Sequence, residues 1–361
     1  MDAIVIPEHY CSREILDKEI KNVFRKVWSF VCLKNELSND NDFVTKNIGN
    51  ISIVVQNIRG EIKAFLNVCS HRHSRIQCEQ KGNRPLICPY HGWSYNKEGI
   101  PTGIPKKPYF DFQKDDLEKL KLKEIKIEFC GQFVFINSND DSEDLKEYLG
   151  DFYEELEKMS NNMGQEVDVN EMKINANWKI LVENTLESYH VALIHTDTFL
   201  RLGTQGIDFS FSGSNSVWTT PLAKSEDEGK NSIIHKPFQD REYKIDGYKH
   251  YIIFPNLLVS TTYGISFNIS LIDPIDENSS LFISRVFITK TNTNVENTPL
   301  VEAYNKSLVQ FNRDVFSEDK EICEAVQLGV QSSPYSGQLS KEEKRVWHFQ
   351  NSVMSLLNDK N

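Results

Sequence analysis

The sequence predicts an α+β protein in two parts, and three patterns carry that expectation. Residues near 40–137 are dominated by short β-branched and aromatic runs punctuated by turn signals, as in a small all-β domain. From Tyr251 to Phe287 four more such runs follow one another closely enough to pair as one antiparallel sheet. From about Leu300 to Val330 the apolar spacing becomes that of a long helix. At 361 residues the chain has room for two cores.

Composition narrows the class. Hydrophobic residues make up 39% and charged residues 26%, the balance of a folded globular protein rather than a disordered one. The net charge of −11 argues against non-specific nucleic-acid binding and against anionic membrane surfaces. No apolar run approaches the ~20 residues of a membrane-spanning helix. The opening Met-Asp-Ala-Ile-Val-Ile-Pro-Glu lacks the charged and apolar regions of a signal peptide. Seven cysteines, an odd number without a disulfide-like framework, fit free thiols and metal ligands in a reducing cytoplasm.

In chain order, Ser12 to Phe30 reads as a helix capped by Ser12, with Ile15, Leu16, Ile20, Val23, Phe24 and Val27 as its apolar face. Ile51–Val55 and Ile62–Phe65 flank Arg59-Gly60-Glu61, a hairpin signal. After the turn Asn96-Lys97-Glu98-Gly99, the runs Ile125–Phe129 and Phe133–Ile136 close the small β domain. Ser138-Asn139-Asp140-Asp141 is a polar break. Glu143 to Met159 then reads as an acidic surface helix capped by Ser142, with Leu145, Tyr148, Leu149, Phe152 and Leu156 facing inward. Gly203 to Ser216 is Gly/Ser-rich, and 224–231 reads as an exposed loop.

Three places carry chemistry. Cys69-Ser70-His71 and Cys88-Pro89-Tyr90-His91 each offer one thiolate and one imidazole from a tight loop, where Pro89 and Gly92 permit sharp turns. Such a set can be a structural zinc site. It can also be a Rieske [2Fe–2S] centre, in which two cysteines hold one iron and two histidines the other; the order Cys then His in both loops suits this second reading. Cys78 matches no ligand position, and Cys11, Cys32, Cys130 and Cys323 read as small hydrophobes.

The second place is Asn177 to His195. Read as a helix, Glu183, Glu187, His190 and Ile194 share one face, beside an apolar face of Trp178, Val182, Leu186, Tyr189 and Leu193. Five residues of ideal helix leave His195 about 140° from His190. For both rings to meet one metal the helix must end or bulge between them; otherwise they are two surface or cap histidines. The third place is Asp319. The late helix has an apolar stripe at Leu308, Phe311, Val315, Ile322 and Val326, and Asp319 interrupts it. A carboxylate in a buried stripe is costly unless a cation meets it. Glu318, about 100° round the helix, ranks second as a ligand.

Together these residues resemble a known family. Cys-x-His-Arg…Cys-Pro-Tyr-His-Gly-Trp at 69–93 resembles the Rieske motif of the ring-hydroxylating (Rieske non-haem iron) oxygenases. Asn177-Trp178-Lys179, with Glu183-Asn184, Glu187, His190 and His195, resembles the mononuclear-iron motif of the same large (alpha) subunits. The two motifs stand in the family's order, about a hundred residues apart. Where the family often has glycine, this chain has His73, whose offset from Cys69 is wrong for a ligand.

The resemblance implies a [2Fe–2S] Rieske cluster on Cys69, His71, Cys88 and His91, and a mononuclear non-haem Fe(II) on His190, His195 and Asp319. It implies a helical segment at 1–40 packing on the catalytic domain, a Rieske domain at 41–137, and a catalytic domain at 138–361 in which a curved antiparallel sheet wraps long helices, a START or helix-grip arrangement. It implies a cytoplasmic terminal oxygenase that uses O2 to hydroxylate, or oxidatively demethylate or cleave, a small organic substrate. Glu187 and Asn184 are its expected catalytic-site residues beyond the ligands. In this family an acidic residue at position 187 joins an iron-bound histidine to a cluster histidine of the next subunit, so a homotrimer is expected, with His91 as the neighbour's partner. The longer Glu187, where many relatives carry Asp, resembles the branch acting on carnitine and choline. With no Gly-x-Gly-x-x-Gly fingerprint, electrons must come from a separate NAD(P)H-dependent flavin or iron–sulfur reductase, or a ferredoxin. The competing function is a non-catalytic Rieske electron-transfer or redox-sensing protein, which needs only the first motif.

Overall fold

The chain is described by a computed structural model at residues 1–113, 115–202, 208–222, 235–291 and 298–358. The loop expected at 224–231 lies outside these residues, as does the first part of the Gly/Ser-rich stretch. Two compact units result: Phe24–Tyr148 is one, and Met1–Val23 with Leu149–Asn361 is the other. No described helix is long and apolar enough to cross a membrane.

The smaller unit holds nine strands: β1 (Ser29–Leu33), β2 (Asp42–Ile48), β3 (Ile51–Ile58), β4 (Glu61–Leu66), β5 (Lys81–Asn83), β6 (Ser94–Tyr95), β7 (Pro101–Gly103), β8 (Lys126–Cys130) and β9 (Phe133–Asn137). They form sheets of order β4-β3-β2-β5, β1-β9-β8 and β6-β7. Arg59 and Gly60, at φ 54° and 86°, make the two-residue turn between β3 and β4; two positive φ values match the strands' own twist. Strand β3 is buried along nearly its whole length. Cys69 and Cys88 belong to the same core as Val54, Phe65, Ile76, Leu86 and Trp93.

The first boundary differs from the expected residue 40. The helix begins at Arg13, with the Ser12 hydroxyl accepting from Ile15 N, but its α-helical part ends at Glu19 and one wider turn follows to Phe24. Residues 24–40 belong to the smaller unit because Ser29–Leu33 pairs with β9 instead of prolonging the helix. Phe30 packs edge-on against Phe133 and Phe135 there. The helix expected at 143–159 is also two helices, Leu145–Leu149 and Tyr153–Asn162. Gly150, at φ 53°, separates them, so the second boundary falls near 148 rather than 137. The Ser142 hydroxyl has no hydrogen-bond partner and caps nothing.

In the larger unit β10 (Met163–Ile174), β11 (Asp208–Ser212), β12 (Asn215–Thr220), β13 (Tyr248–Ile253), β14 (Leu257–Thr262), β15 (Ser266–Asp276) and β16 (Ser279–Thr289) form one antiparallel sheet of order β10-β16-β15-β14-β13-β12-β11. Trp218, His250, Ser260, Asn268 and Val286 stand opposite one another across five strands. The helix Pro299–Val330 lies against this sheet: Val301 shares a core with Ile265 and Ile288, and the Phe316 ring sits 4.7 Å from that of Phe282. Its buried stripe departs from the expected one beyond Asp319. Cys323 and Gln327 face inward, while Val326 is exposed. Steps of four from Asp319 reach 323 and 327, and Gln327 is fully used: it accepts from Asn177 N at 2.8 Å and donates to Asn278 at 3.0 Å.

Candidate metal centres

The Rieske-type loops come together in the smaller unit. Cys69 follows β4 and Cys88 follows β5. Each loop folds back on its cysteine: Cys69 N donates to Ser74 O and Cys88 N to Trp93 O, both at 2.8 Å. Gly92, at φ 73°, closes the second loop by donating to Cys88 O at 3.0 Å; a β-carbon there would also lie 3.3 Å from Pro105. Asn67 ties the first loop down, accepting from Ile76 N and Gln77 N and donating to Gln77 O.

Both cysteines are buried, and the two imidazoles are partly exposed, their ring centroids 4.6 Å apart. His71 stacks on Trp93 at 4.8 Å. Burial pushes the Cys69 thiol up, the Tyr95 hydroxyl 3.0 Å away pulls it back, and the neighbouring Cys88 pushes it up again. The Nδ1 atoms of His71 and His91 are buried without a hydrogen-bond partner. Orphaned buried nitrogens demand an explanation. Two thiols and two such nitrogens on converging loops fit a group that takes two thiolates and two imidazoles. His73 is exposed, at φ 61°, and Cys78 is exposed as well; neither joins the set.

In the larger unit the helix Trp178–Thr185 starts on a buried scaffold. The Asn177 side chain caps it, accepting from Lys179 N. Lys179 Nζ donates to Glu19 at 2.7 Å and to Asn177 at 2.9 Å, and Trp178 Nε1 donates to Glu19 at 2.8 Å. The Glu19–Lys179 pair is wholly buried. Removing either partner strands a charge, at a cost of about 3–5 kcal/mol. The helix then ends at Thr185 and resumes only at Val191–Ile194. This second helix ends at Ile194, and His195 leaves the helical path at φ −103°, ψ 43°, so the two histidines that flank it face one point, with ring centroids 5.0 Å apart.

Asp319, from the long helix, meets them. Its Oδ1 lies 3.1 Å from His195 Nε2 and 3.7 Å from His190 Nε2. One donor atom from each of the three residues falls within 4.8 Å of the others, a spacing that can hold an ion. Each of the three residues is also held by a neighbour. Glu187 bonds His190 Nδ1. Glu318 Oε2 bonds His195 Nδ1 at 2.6 Å and accepts from Thr198 at 2.9 Å. Asn184 Nδ2 donates to Asp319 Oδ1 at 2.7 Å. Burial pulls the His195 pKa down, but Asp319 and Glu318 more than offset it, leaving it raised. A carboxylate behind each imidazole fixes the tautomer and makes the inner nitrogen the better ligand. Glu318 thus meets the outer nitrogen of His195, and Asp319 the inner one. The sequence held one sign of this, an acidic side chain adjacent to Asp319, but not which histidine it would reach.

These residues open on a cavity of about 340 Å³ lined by His190, His195, Asp319 and many aromatic side chains. The wall residues Phe199, Trp218, Tyr248 and His250 had not been singled out; they sit on segments whose sequence shows only strand or loop patterning.

A model of the family "Ring hydroxylating alpha subunit (catalytic domain)" matches residues 157–359, and one of the "Rieske [2Fe-2S] domain" matches residues 27–126. The chain belongs to the Rieske non-haem iron oxygenase alpha subunits. It is 26% identical over 346 residues to the carnitine monooxygenase oxygenase subunit of Acinetobacter pittii, covering 91% of this chain and 85% of that one. It is 27% identical over 350 residues to the chloroplastic choline monooxygenase of Amaranthus tricolor, covering 94% and 74%. In fold it resembles the quaternary ammonium Rieske monooxygenase CntA in complex with L-carnitine (TM-score 0.78, 21% identity, covering 97% and 94%). It also resembles naphthalene 1,2-dioxygenase from Rhodococcus sp. (TM-score 0.77, 19% identity, covering 99% and 95%). The protein is thus an oxidoreductase, the terminal oxygenase of a Rieske system, rather than an electron carrier alone. Its cofactors are a [2Fe–2S] cluster and a mononuclear non-haem iron, and its electrons come from a reductase or ferredoxin partner.

Proposed function

We propose that this oxygenase hydroxylates a small quaternary ammonium compound, with iron held by His190, His195 and Asp319 and the cluster by Cys69, His71, Cys88 and His91. The observation that carries the reading is the three-residue donor set opening on an aromatic-lined cavity. When bound, the iron supplies open positions for O2 chemistry and the cluster supplies single electrons. The chain's own residues do the rest. Asn184 keeps Asp319 aimed inward. Glu187 and Glu318 hold a proton at the outer nitrogen of each imidazole, so that the inner nitrogens stay free to ligate. Phe199, Tyr248 and Phe311 exclude water and offer the ring faces that favour a desolvated cation. Glu187, one methylene longer than Asp, agrees with that substrate class.

The reading extends to assembly. Tyr189 is 66% and Leu193 82% exposed beside His190, and Tyr90 is 53% exposed beside His91. Apolar surface at both centres favours burial against another chain. A cyclic homotrimer, with Glu187 between His190 and the neighbour's His91, would bury it. None of the seven cysteines is in a disulfide, which supports a reducing cytoplasm as the compartment.

The test uses the purified protein with NADH, a reductase and a substrate panel. We expect oxygen uptake coupled to product from carnitine, glycine betaine or choline. Coupling only to uncharged aromatic hydrocarbons would overturn the substrate class. Glu187→Gln should leave trimer and metal content intact yet slow single-turnover reoxidation of the reduced cluster. Unchanged kinetics, or a fully active monomer, would remove the bridging role.

A further inference from the structure

Behind the cavity wall that Trp218 and His250 help to form lies a positive charge with no ion-pair partner among the described residues. Arg345, from the helix Lys344–Asn358, is completely buried. Its contacts among the described residues are all neutral: Nε donates to Ser216 Oγ at 2.9 Å, Nη2 to Ser216 O at 3.3 Å, and Nη1 lies 3.5 Å from His250 Nδ1. No carboxylate among the described residues forms an ion pair with it. Burial pulls its pKa down to about 9, still charged at neutral pH. A buried guanidinium is costly unless an anion meets it.

The residues in front of it are arranged to meet one. An arginine can only donate, so His250 Nδ1 accepts and the imidazole's own hydrogen sits on Nε2. Burial and the Arg345 charge both hold His250 neutral. Trp218, its partner across the strands, has a buried indole N–H with no acceptor among the described residues. Both rings line the cavity that contains His190, His195 and Asp319. An orphaned donor there calls for an acceptor that the described residues do not supply. A chain of rings spans the distance to the metal-binding residues: His195 to Phe199 at 5.6 Å, Phe199 to Tyr248 at 6.0 Å, and Tyr248 to His250 at 6.4 Å.

We propose that Trp218 and His250, backed by Arg345, form an anion-binding corner that holds a carboxylate or similar oxyanion of the substrate, at the opposite end of the cavity from His190, His195 and Asp319. This rests on the oxygenase reading and deepens it: the substrate carries a negative group as well as the part to be oxidised. Trp218 and His250 touch the anion; Arg345 is a positioning residue that acts through His250 and through its field. The corner selects a carboxylated ammonium compound over an alcohol of similar size.

Calorimetric binding to the cofactor-loaded protein, with no turnover, tests this on two matched pairs: glycine betaine against choline, and benzoate against benzamide. The expected result is that the anion of at least one pair binds tenfold or more tighter than its partner. The preference should persist in iron-free Asp319→Ala, which separates the corner from carboxylate binding to the iron. It should vanish in Trp218→Phe and in Arg345→Met, and be partly restored in Arg345→Lys. Trp218→Phe keeps the ring and guards against a variant that fails to fold. No preference in either pair, a preference kept in Trp218→Phe, one lost with the iron, or no anion binding at millimolar concentration each overturns the proposal. The ammonium reading fails separately: benzoate preferred while neither ammonium compound binds sinks that reading and keeps the corner. Betaine and choline bound equally, with no preference for benzoate, does the reverse.

Discussion

Replacing Glu318 by glutamine tests how the iron site is held. The carboxylate lies 2.6 Å from His195 Nδ1 and also accepts from Thr198. A hydrogen bond to a charged group contributes roughly 1.5–3 kcal/mol, and its neutral replacement keeps part of that. At about 1.4 kcal/mol per tenfold, iron affinity should fall on the order of 10- to 100-fold. The assay is iron retention against a graded chelator, on protein whose cluster spectrum is followed in parallel. Glu318→Gln should lose mononuclear iron at lower chelator concentration with the cluster bands unchanged. Thr198→Val removes only the 2.9 Å contact and should give a smaller shift. Asp319→Ala should hold no iron at all. Unchanged affinity in Glu318→Gln refutes the supporting role. A loss as complete as in Asp319→Ala would instead make Glu318 a ligand.

Cys88→Ala should abolish the visible bands of the cluster and destabilise residues 24–148, because the thiol belongs to that unit's core; Cys78→Ala, at an exposed position, should change neither, and a normal Rieske EPR signal in Cys88→Ala would reject the ligand set. Glu183 is pushed up to about 7 by burial, against the hydrogen bonds from Tyr10 and Gln350 and the charge of Lys179. Its folded pKa is raised, so the linked stability is present below the ordinary carboxylate range and lost as pH rises through about 7. The linked loss is on the order of 3 kcal/mol at most. Thermal midpoints should decline over that window in the native protein and decline less in Glu183→Gln; identical slopes would exclude Glu183 as the titrating group.

Much of this was legible before any coordinates. Two short motifs placed six candidate ligands and an interrupted apolar stripe the seventh, Asp319, and the structure brings them into two groups. That the helix must end or bulge if His190 and His195 are to meet one metal followed from helix geometry, and it ends at Ile194. The failures have physical causes. Strand β10 is an edge strand, and its Glu166, Asp168, Asn170 and Glu171 obscured the alternation. The stretch after Val23 looked helical because its apolar spacing permits a helix, but pairing of Ser29–Leu33 with β9 prevailed. Arg345 could not be read as a cavity residue: nothing in its own helix says that Ser216 and His250 lie 129 and 95 positions away at its tip.

The order of the units along the chain bears on biosynthesis. The larger unit is discontinuous: its first 23 residues precede the whole of the smaller one. Gln350 accepts from Ile4 N at 2.9 Å and Val5 N at 3.3 Å, and Glu19 lies locked under Lys179. A ribosome making this chain therefore emits the opening segment long before its partners exist. The strands of 24–148 emerge next and can close on themselves. Glu19 must wait, charged and solvated, until residue 179 appears, and the amino terminus until residue 350. The iron-binding unit can assemble only once residue 350 has been made, after the whole of the smaller unit. Deleting the first 23 residues should leave a foldable cluster-bearing unit and an iron-binding unit that never closes.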